Sequence, residues 1–249
     1  MSFRRVLIAC ALSCVVAPVL AGEVLVSAAA SLTNAFKDLA VQYETAHPDT
    51  RILTTFGASD VVLRQITEGA PADIFASADQ KAMDKAAAAQ AIDPASRVNF
   101  VRNEVVLVVP SDNPRGIQSL RDLAKPDVQR IALGNPDSVP VGRYTRAALE
   151  RAGSWDVVQA HQILGQNVRQ VLSYVERGEV DAGFVFATDA AIMKGKVKVV
   201  QVVDTPEPVV YPIALVNREG RAPEATSFLD YVVSPEGQAV LARYGFAKP

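Results

Sequence analysis

Hydrophobic positions along the chain switch repeatedly between two periods. Val24-Leu25-Val26 is a short apolar run of strand type. From there Leu32, Ala35, Phe36, Leu39, Ala40 and Tyr43 fall on one face of a 3.6-period helix. The order then returns. A strand at Arg51–Thr55 meets the small-residue turn Phe56-Gly57-Ala58-Ser59-Asp60 and a helix carrying Val61, Val62, Leu63 and Ile66. A third strand at Asp73–Ser77 and a third helix over 78–90 follow. Three strand–helix units in succession predict a parallel sheet with crossover helices.

The second half repeats the alternation. Val105–Pro110 is a strongly β-branched run, followed by the turn Ser111–Gly116. A short helix at Leu120–Ala124, a strand at Gln129–Gly134 and the turn Asn135–Pro140 lead into a helix over Val141–Ala152. Gly165-Gln166-Asn167 opens a helix over Val168–Arg177. Strands at Val180–Phe186 and Lys196–Val203 flank a short helix from Ala187. Val209–Val216, interrupted by Pro212, reads as a return crossing, and helices at Ala222–Val233 and Pro235–Arg243 close the chain. With an outward crossing near Phe100–Asn103, the expected division is lobe 1 over 22–101 plus 209–249 and lobe 2 over 102–208. The predicted fold is α/β: a two-lobed clamshell, each lobe a mainly parallel sheet flanked by helices, joined by two hinge crossings. The cleft between such lobes is a natural ligand site.

The N-terminus has a different pattern. Arg4 and Arg5 precede a mostly apolar run over Val6–Leu20, and Val19-Leu20-Ala21 suits cleavage after Ala21. Residues 1–21 are therefore expected to be an export signal peptide. Leu7-Ile8-Ala9-Cys10 faintly resembles a lipoprotein signal, but the apolar run before Cys10 is far too short for one. Both cysteines, Cys10 and Cys14, fall in the removed piece. The remaining 228 residues then offer no thiol for a disulfide, a thiolate metal site or a nucleophile. They carry 23 basic and 27 acidic side chains with no basic cluster, which argues against a nucleic-acid partner. No later stretch is long and apolar enough to span a membrane, so an exported, soluble product is expected.

Four helix starts stand at the predicted carboxyl ends of strands: Ser31, Ser59, Val141-Gly142 and Val168. Ser31 occupies a position suited to a helix N-cap, and taken alone its stretch reads as an ordinary capped helix. The first amides of a helix have no acceptor within it and can bind an anion. Two hydroxyls and several such amides are neutral donors, which suit a small, fully ionised oxyanion. Enzyme signatures are missing: no G-x-S-x-G elbow, P-loop, G-x-G-x-x-G or H-E-x-x-H occurs. His47 and His161 stand alone, and neither serine has a base nearby in sequence. Asp60 reads as a first-turn residue favoured by the helix dipole. Asp73 reads as a structural acceptor of backbone amides. Arg64 and Arg169, one turn into their helices, read as solvated or salt-bridged.

Several segments together carry a resemblance. Ala28-Ala29-Ala30-Ser31-Leu32-Thr33, Gly69-Ala70-Pro71-Ala72-Asp73, Ser77-Ala78-Asp79, Val139-Pro140-Val141-Gly142-Arg143-Tyr144, Asn167-Val168-Arg169 and Arg243-Tyr244-Gly245-Phe246 resemble, in order, the periplasmic molybdate-binding proteins of bacterial ABC importers. That resemblance implies a two-lobed periplasmic-binding-protein fold, no catalysis and no cofactor. It implies a periplasmic monomer that delivers molybdate, and usually tungstate, to an inner-membrane ABC permease. It also implies that Ser31 and Ser59 donate through hydroxyl and amide, and that Val141 and Val168 donate through backbone amides. These groups would contact the oxyanion oxygens and not the metal itself. Where the family commonly has a tyrosine whose hydroxyl reaches the ligand, this chain has Phe186. Thr188, a water or a shifted side chain could replace that donor. Sulfate or phosphate is the nearest alternative ligand. An iron-binding relative would need paired tyrosines near the second lobe's helix starts, an exported enzyme would need a nucleophile–base pair, and a sensing domain would lack the signal segment.

Overall fold

The computed structural model describes residues 22–249, so the expected signal segment with Cys10 and Cys14 lies outside the described residues. Strand β1 (Gly22–Ala29) runs into a 3-10 turn at Ala30–Leu32 and then helix α1 (Thr33–Ala46). Strand β2 (Thr50–Gly57), α2 (Ser59–Thr67), β3 (Ile74–Ala76), α3 (Gln80–Ala88) and β4 (Val98–Asn103) follow. Next come β5 (Val105–Pro110), β6 (Ile131–Gly134), α4 (Pro140–Arg151), α5 (Trp155–Ala160), β7 (Gln162–Gly165) and α6 (Val168–Glu176). Then β8 (Ala182–Phe186), α7 (Ala187–Ile192), β9 (Val197–Val203), β10 (Val209–Leu215), α8 (Glu224–Val233) and α9 (Pro235–Arg243) complete the chain.

The strands form two five-stranded sheets, in the orders β2-β1-β3-β10-β4 and β7-β6-β8-β5-β9. Each belongs to one lobe of a clamshell. The sheets are mixed, which corrects the expectation of mainly parallel ones. In the first, β1 is parallel to β2 and β3, while β10 is antiparallel to β3 and β4. In the second, β6 is parallel to β7 and β8, while β5 is antiparallel to β8 and β9. The physical reason lies in the crossings. Strands β10 and β5 enter from the other lobe and not through a crossover helix, so nothing forces them parallel. The first sheet holds the chain to Asn103 and the second takes it up at Val105, with Glu104 between. The return runs from Val203 to Val209.

The predicted stripe of α1 is the one it buries: Ala35, Phe36, Leu39, Ala40 and Tyr43. Strand β5 is buried along its whole length, as a strand with sheet neighbours on both sides and helices on its faces must be. Asp73 accounts for a different kind of burial. Its side chain is fully buried, and it accepts from the amides of Leu25 (2.8 Å) and Ala222 (3.1 Å) and from Arg218 Nε (2.9 Å). It therefore ties β1 to the start of α8, because a buried carboxylate must have its lone pairs met. None of the described helices is long and apolar enough to cross a membrane.

Candidate functional site

Each lobe presents the carboxyl ends of two adjacent parallel strands. In the first lobe β1 and β2 end side by side, with Ala29 opposite Gly57. In the second, β6 and β7 end with Gly134 opposite Gly165. A helical turn or helix starts just beyond each, at Ala30, Ser59, Pro140 and Val168. The α4 start comes very close to its strand. A Cβ on Gly142 would lie 2.0 Å from the Gly134 carbonyl oxygen, so only glycine lets this helix pack so tightly.

Hydrogen bonding decides which amides stay free. Asn167 caps α6: its side-chain oxygen accepts from the amides of Arg169 (3.0 Å) and Gln170 (3.1 Å), and its carbonyl accepts from Val171 (3.3 Å). Of that first turn only the Val168 amide is left without an acceptor among the described residues. In α4 Pro140 has no N–H and Arg143 donates to the Val139 carbonyl, which leaves Val141 and Gly142. In α2 no side chain caps the helix, and Val62 is the first amide returned, to Ala58.

These starts converge on one small cavity. Ser31, Ser59, Val141, Val168 and Phe186 all line it, together with small residues such as Ala29, Ala58 and Ala78. The cavity is small and walled by small side chains, too tight for a sugar, amino acid or peptide. No lysine, arginine or histidine lines it.

The serines do not do what their positions suggest. Neither Ser31 nor Ser59 caps a helix with its side chain. A 3-10 turn at Ala30–Leu32 precedes α1, and it turns Ser31 inward. Its Oγ lies 2.9 Å from the hydroxyl of Tyr211 on β10. Asn103, at the end of β4, donates from Nδ2 to that same hydroxyl (3.2 Å) and to Thr188 Oγ1 (2.9 Å). Ser59 Oγ accepts from the Ala78 amide at 3.0 Å. Thr188 is buried against Asn103 and does not line the cavity, so it does not replace the hydroxyl missing at Phe186. Burial pushes the Tyr211 phenol well above its ordinary range, with Asp189 adding to the effect, so it stays protonated.

Charged groups frame the cavity from outside. Arg143 on α4 reaches across to the first lobe, where Nε lies 2.8 Å from Asp79 and Nη2 lies 2.6 Å from Asp60. Lys85 also pairs with Asp60, at 2.5 Å, so Asp60 is more than a first-turn residue. Arg169 on α6 is salt-bridged to the fully buried Asp189. It also crosses to the first lobe, donating to Asn34 Oδ1 (2.9 Å) and the Ser31 carbonyl (3.3 Å). Arg64 lies on the exposed face of α2. His47 stacks on Tyr43 at 4.0 Å, His161 follows α5, and neither lines the cavity. Among the described residues no group of three His, Cys, Asp or Glu is placed to hold a metal ion. Asn103 and Tyr211 carried no signal in the sequence, because their partners are 85 to 180 residues away.

The model of the bacterial extracellular solute-binding proteins matches residues 24–247. The chain belongs to that family. This solute-binding protein is 40% identical over 223 residues to a putative ABC transporter substrate-binding lipoprotein of Bacillus subtilis, covering 89% of this chain and 85% of that one. It is 38% identical over 236 residues to the molybdate-binding protein ModA of Escherichia coli, covering 90% and 89% of the two chains. Among solved structures, the sulfate-binding protein SubI of Mycobacterium tuberculosis shares its fold with a TM-score of 0.78 at 18% identity, over 91% of this chain and 87% of that one. A common fold thus serves different oxyanions, and the ligand must be argued from the cavity.

Proposed function

We propose that this solute-binding protein captures molybdate, and tungstate with it, between its lobes and delivers the anion to an ABC permease of the inner membrane. The observation that carries the reading is the lining of the cavity: two serine hydroxyls and several unreturned amides converge on one small space, with no cationic side chain among them. Neutral donors and helix termini stabilise a fully ionised tetrahedral anion without a counter-charge. The 38% identity to a molybdate-binding protein supports that ion over others. On this reading Ser31 and Ser59 donate through hydroxyl and amide, Val141 and Val168 donate through amides, and Phe186 closes one side. The protein works as an exported monomer in the periplasm, after loss of residues 1–21. Isothermal titration of residues 22–249 with molybdate, tungstate, sulfate and phosphate tests this. Molybdate and tungstate are expected to bind far more tightly than sulfate, and equal or tighter sulfate binding overturns the reading.

A further inference from the structure

The hydrogen bonds behind Ser31 have a fixed direction. Asn103 Oδ1 accepts from the Glu104 amide (2.9 Å), which sets the side-chain amide so that Nδ2 faces Tyr211 and Thr188. An amide nitrogen can only donate. The Tyr211 hydroxyl therefore accepts from Asn103, and its own proton goes to the other neighbour within reach, Ser31 Oγ at 2.9 Å. Ser31 thus accepts from behind, and its single proton is left for the cavity that it lines. Ser59 is arranged similarly, since its Oγ accepts from the Ala78 amide.

We propose that Tyr211, oriented by Asn103, is a specificity-determining positioning residue. It makes Ser31 an obligate donor, so that the cavity takes oxyanions carrying no proton and rejects those that carry one. The proposal rests on the oxyanion reading above. Near neutral pH molybdate, tungstate and sulfate are fully ionised, whereas inorganic phosphate and arsenate retain at least one proton. A retained proton facing a donated proton leaves two buried donors without an acceptor, and such mismatches discriminate far more strongly than size does. The relay starts at Asn103, the last residue of β4, and that residue also contacts Thr188 of the other lobe. Selectivity is thereby set at the crossing between the lobes.

Two variants test the relay in opposite ways. Tyr211→Phe removes the group that donates to Ser31, so Ser31 can turn and accept. Asn103→Asp replaces the donor with an acceptor of the same shape. Tyr211 then donates to residue 103, Ser31 donates to Tyr211, and a serine lone pair faces the cavity. Wild type and both variants are titrated with molybdate, sulfate, phosphate and arsenate, with thermal melting as a check on folding. The expected result is that the phosphate-to-molybdate affinity ratio rises about tenfold or more in Asn103→Asp and less in Tyr211→Phe. The added charge of the aspartate repels a dianion more than a monoanion. The ratio is therefore read at a pH above phosphate's second ionisation, where phosphate is a dianion that still carries one proton, and the sulfate-to-molybdate ratio serves as the control for charge alone. Wild type that binds molybdate, with ratios unchanged in the folded variants, overturns the relay alone. Wild type that binds none of the four anions overturns the function and the relay together.

Discussion

Arg143 on the second lobe and Asp60 on the first meet across the boundary between them, Nη2 to Oδ2 at 2.6 Å. Asp79 adds a second carboxylate from the first lobe at 2.6 Å. All three side chains are largely shielded from solvent, at 12%, 12% and 5% exposure. Separation of the lobes would hydrate the carboxylates, so the pairing counts chiefly toward holding the lobes together over the ligand. Arg143→Met is predicted to weaken anion binding about tenfold, mainly through faster release. Stopped-flow release of bound molybdate measures this, and an unchanged release rate contradicts it.

Ser31→Ala and Ser59→Ala each remove a hydroxyl and keep the amide. Each is predicted to weaken molybdate binding by about 1.5–3 kcal/mol, as for a hydrogen bond to a charged group. Because neither serine caps its helix, helix fraying is not expected. Ser59→Ala does leave the buried Ala78 amide without its acceptor, which costs about 1–3 kcal/mol of stability. Titration below the melting range, paired with a melting curve, separates the two effects. Unchanged affinity in both variants removes the serines from the site.

Phe186 is buried between two other rings, Tyr144 at 6.5 Å and Tyr211 at 5.6 Å, both edge to face. It lines the cavity but offers no donor, and Thr188 faces elsewhere. Phe186→Tyr is predicted to tighten molybdate binding by about 1 kcal/mol, roughly fivefold, by adding a hydroxyl to one side of the anion. Side-by-side titration decides. A weaker variant means that the cavity is already complete around phenylalanine.

The parts of the site that follow local rules were legible in the sequence. Short apolar runs, small-residue turns and 3.6-period stripes located β1, β2, α1 and α2, and they placed Ser31 and Ser59 at the turns between them. Asn167 sits one residue before the apolar stripe of α6, a readable cap position. Local rules also misled. Ser31 looks like an N-cap, but a 3-10 turn intervenes and a tyrosine 180 positions away claims its hydroxyl. The edge strand β7 is only four residues long and half exposed, so Gln162–Gly165 gives no alternation to read. Arg143 with Asp60 and Arg169 with Asn34 depend on how the lobes close, which no local pattern encodes.

Asp189 gives the fold a pH dependence of definite sign. Its carboxyl is fully buried, with one oxygen on Arg169 and the other without a partner. Burial raises its pKa from 3.8 to about 6, against the opposing pull of Arg169. Between about pH 4 and pH 6 the folded protein holds a proton that the unfolded chain has released. Stability from this group is therefore present below that window and lost as pH rises through it, by at most about 3 kcal/mol. Asp189→Asn removes the slope. Denaturant midpoints of both proteins across the window check this, and a wild-type-minus-variant difference that does not change with pH contradicts it.

The central claim is that neutral donors from both lobes surround one tetrahedral oxyanion. Crystals grown with tungstate test it directly, because the tungsten position appears in anomalous scattering independently of the protein phases. The predicted result is a single strong peak inside the cavity bounded by Ser31, Ser59, Val141, Val168 and Phe186, with oxygens contacting serine hydroxyls and backbone amides. A peak elsewhere, or an anion held by the guanidinium of Arg143 or Arg169, would contradict the account.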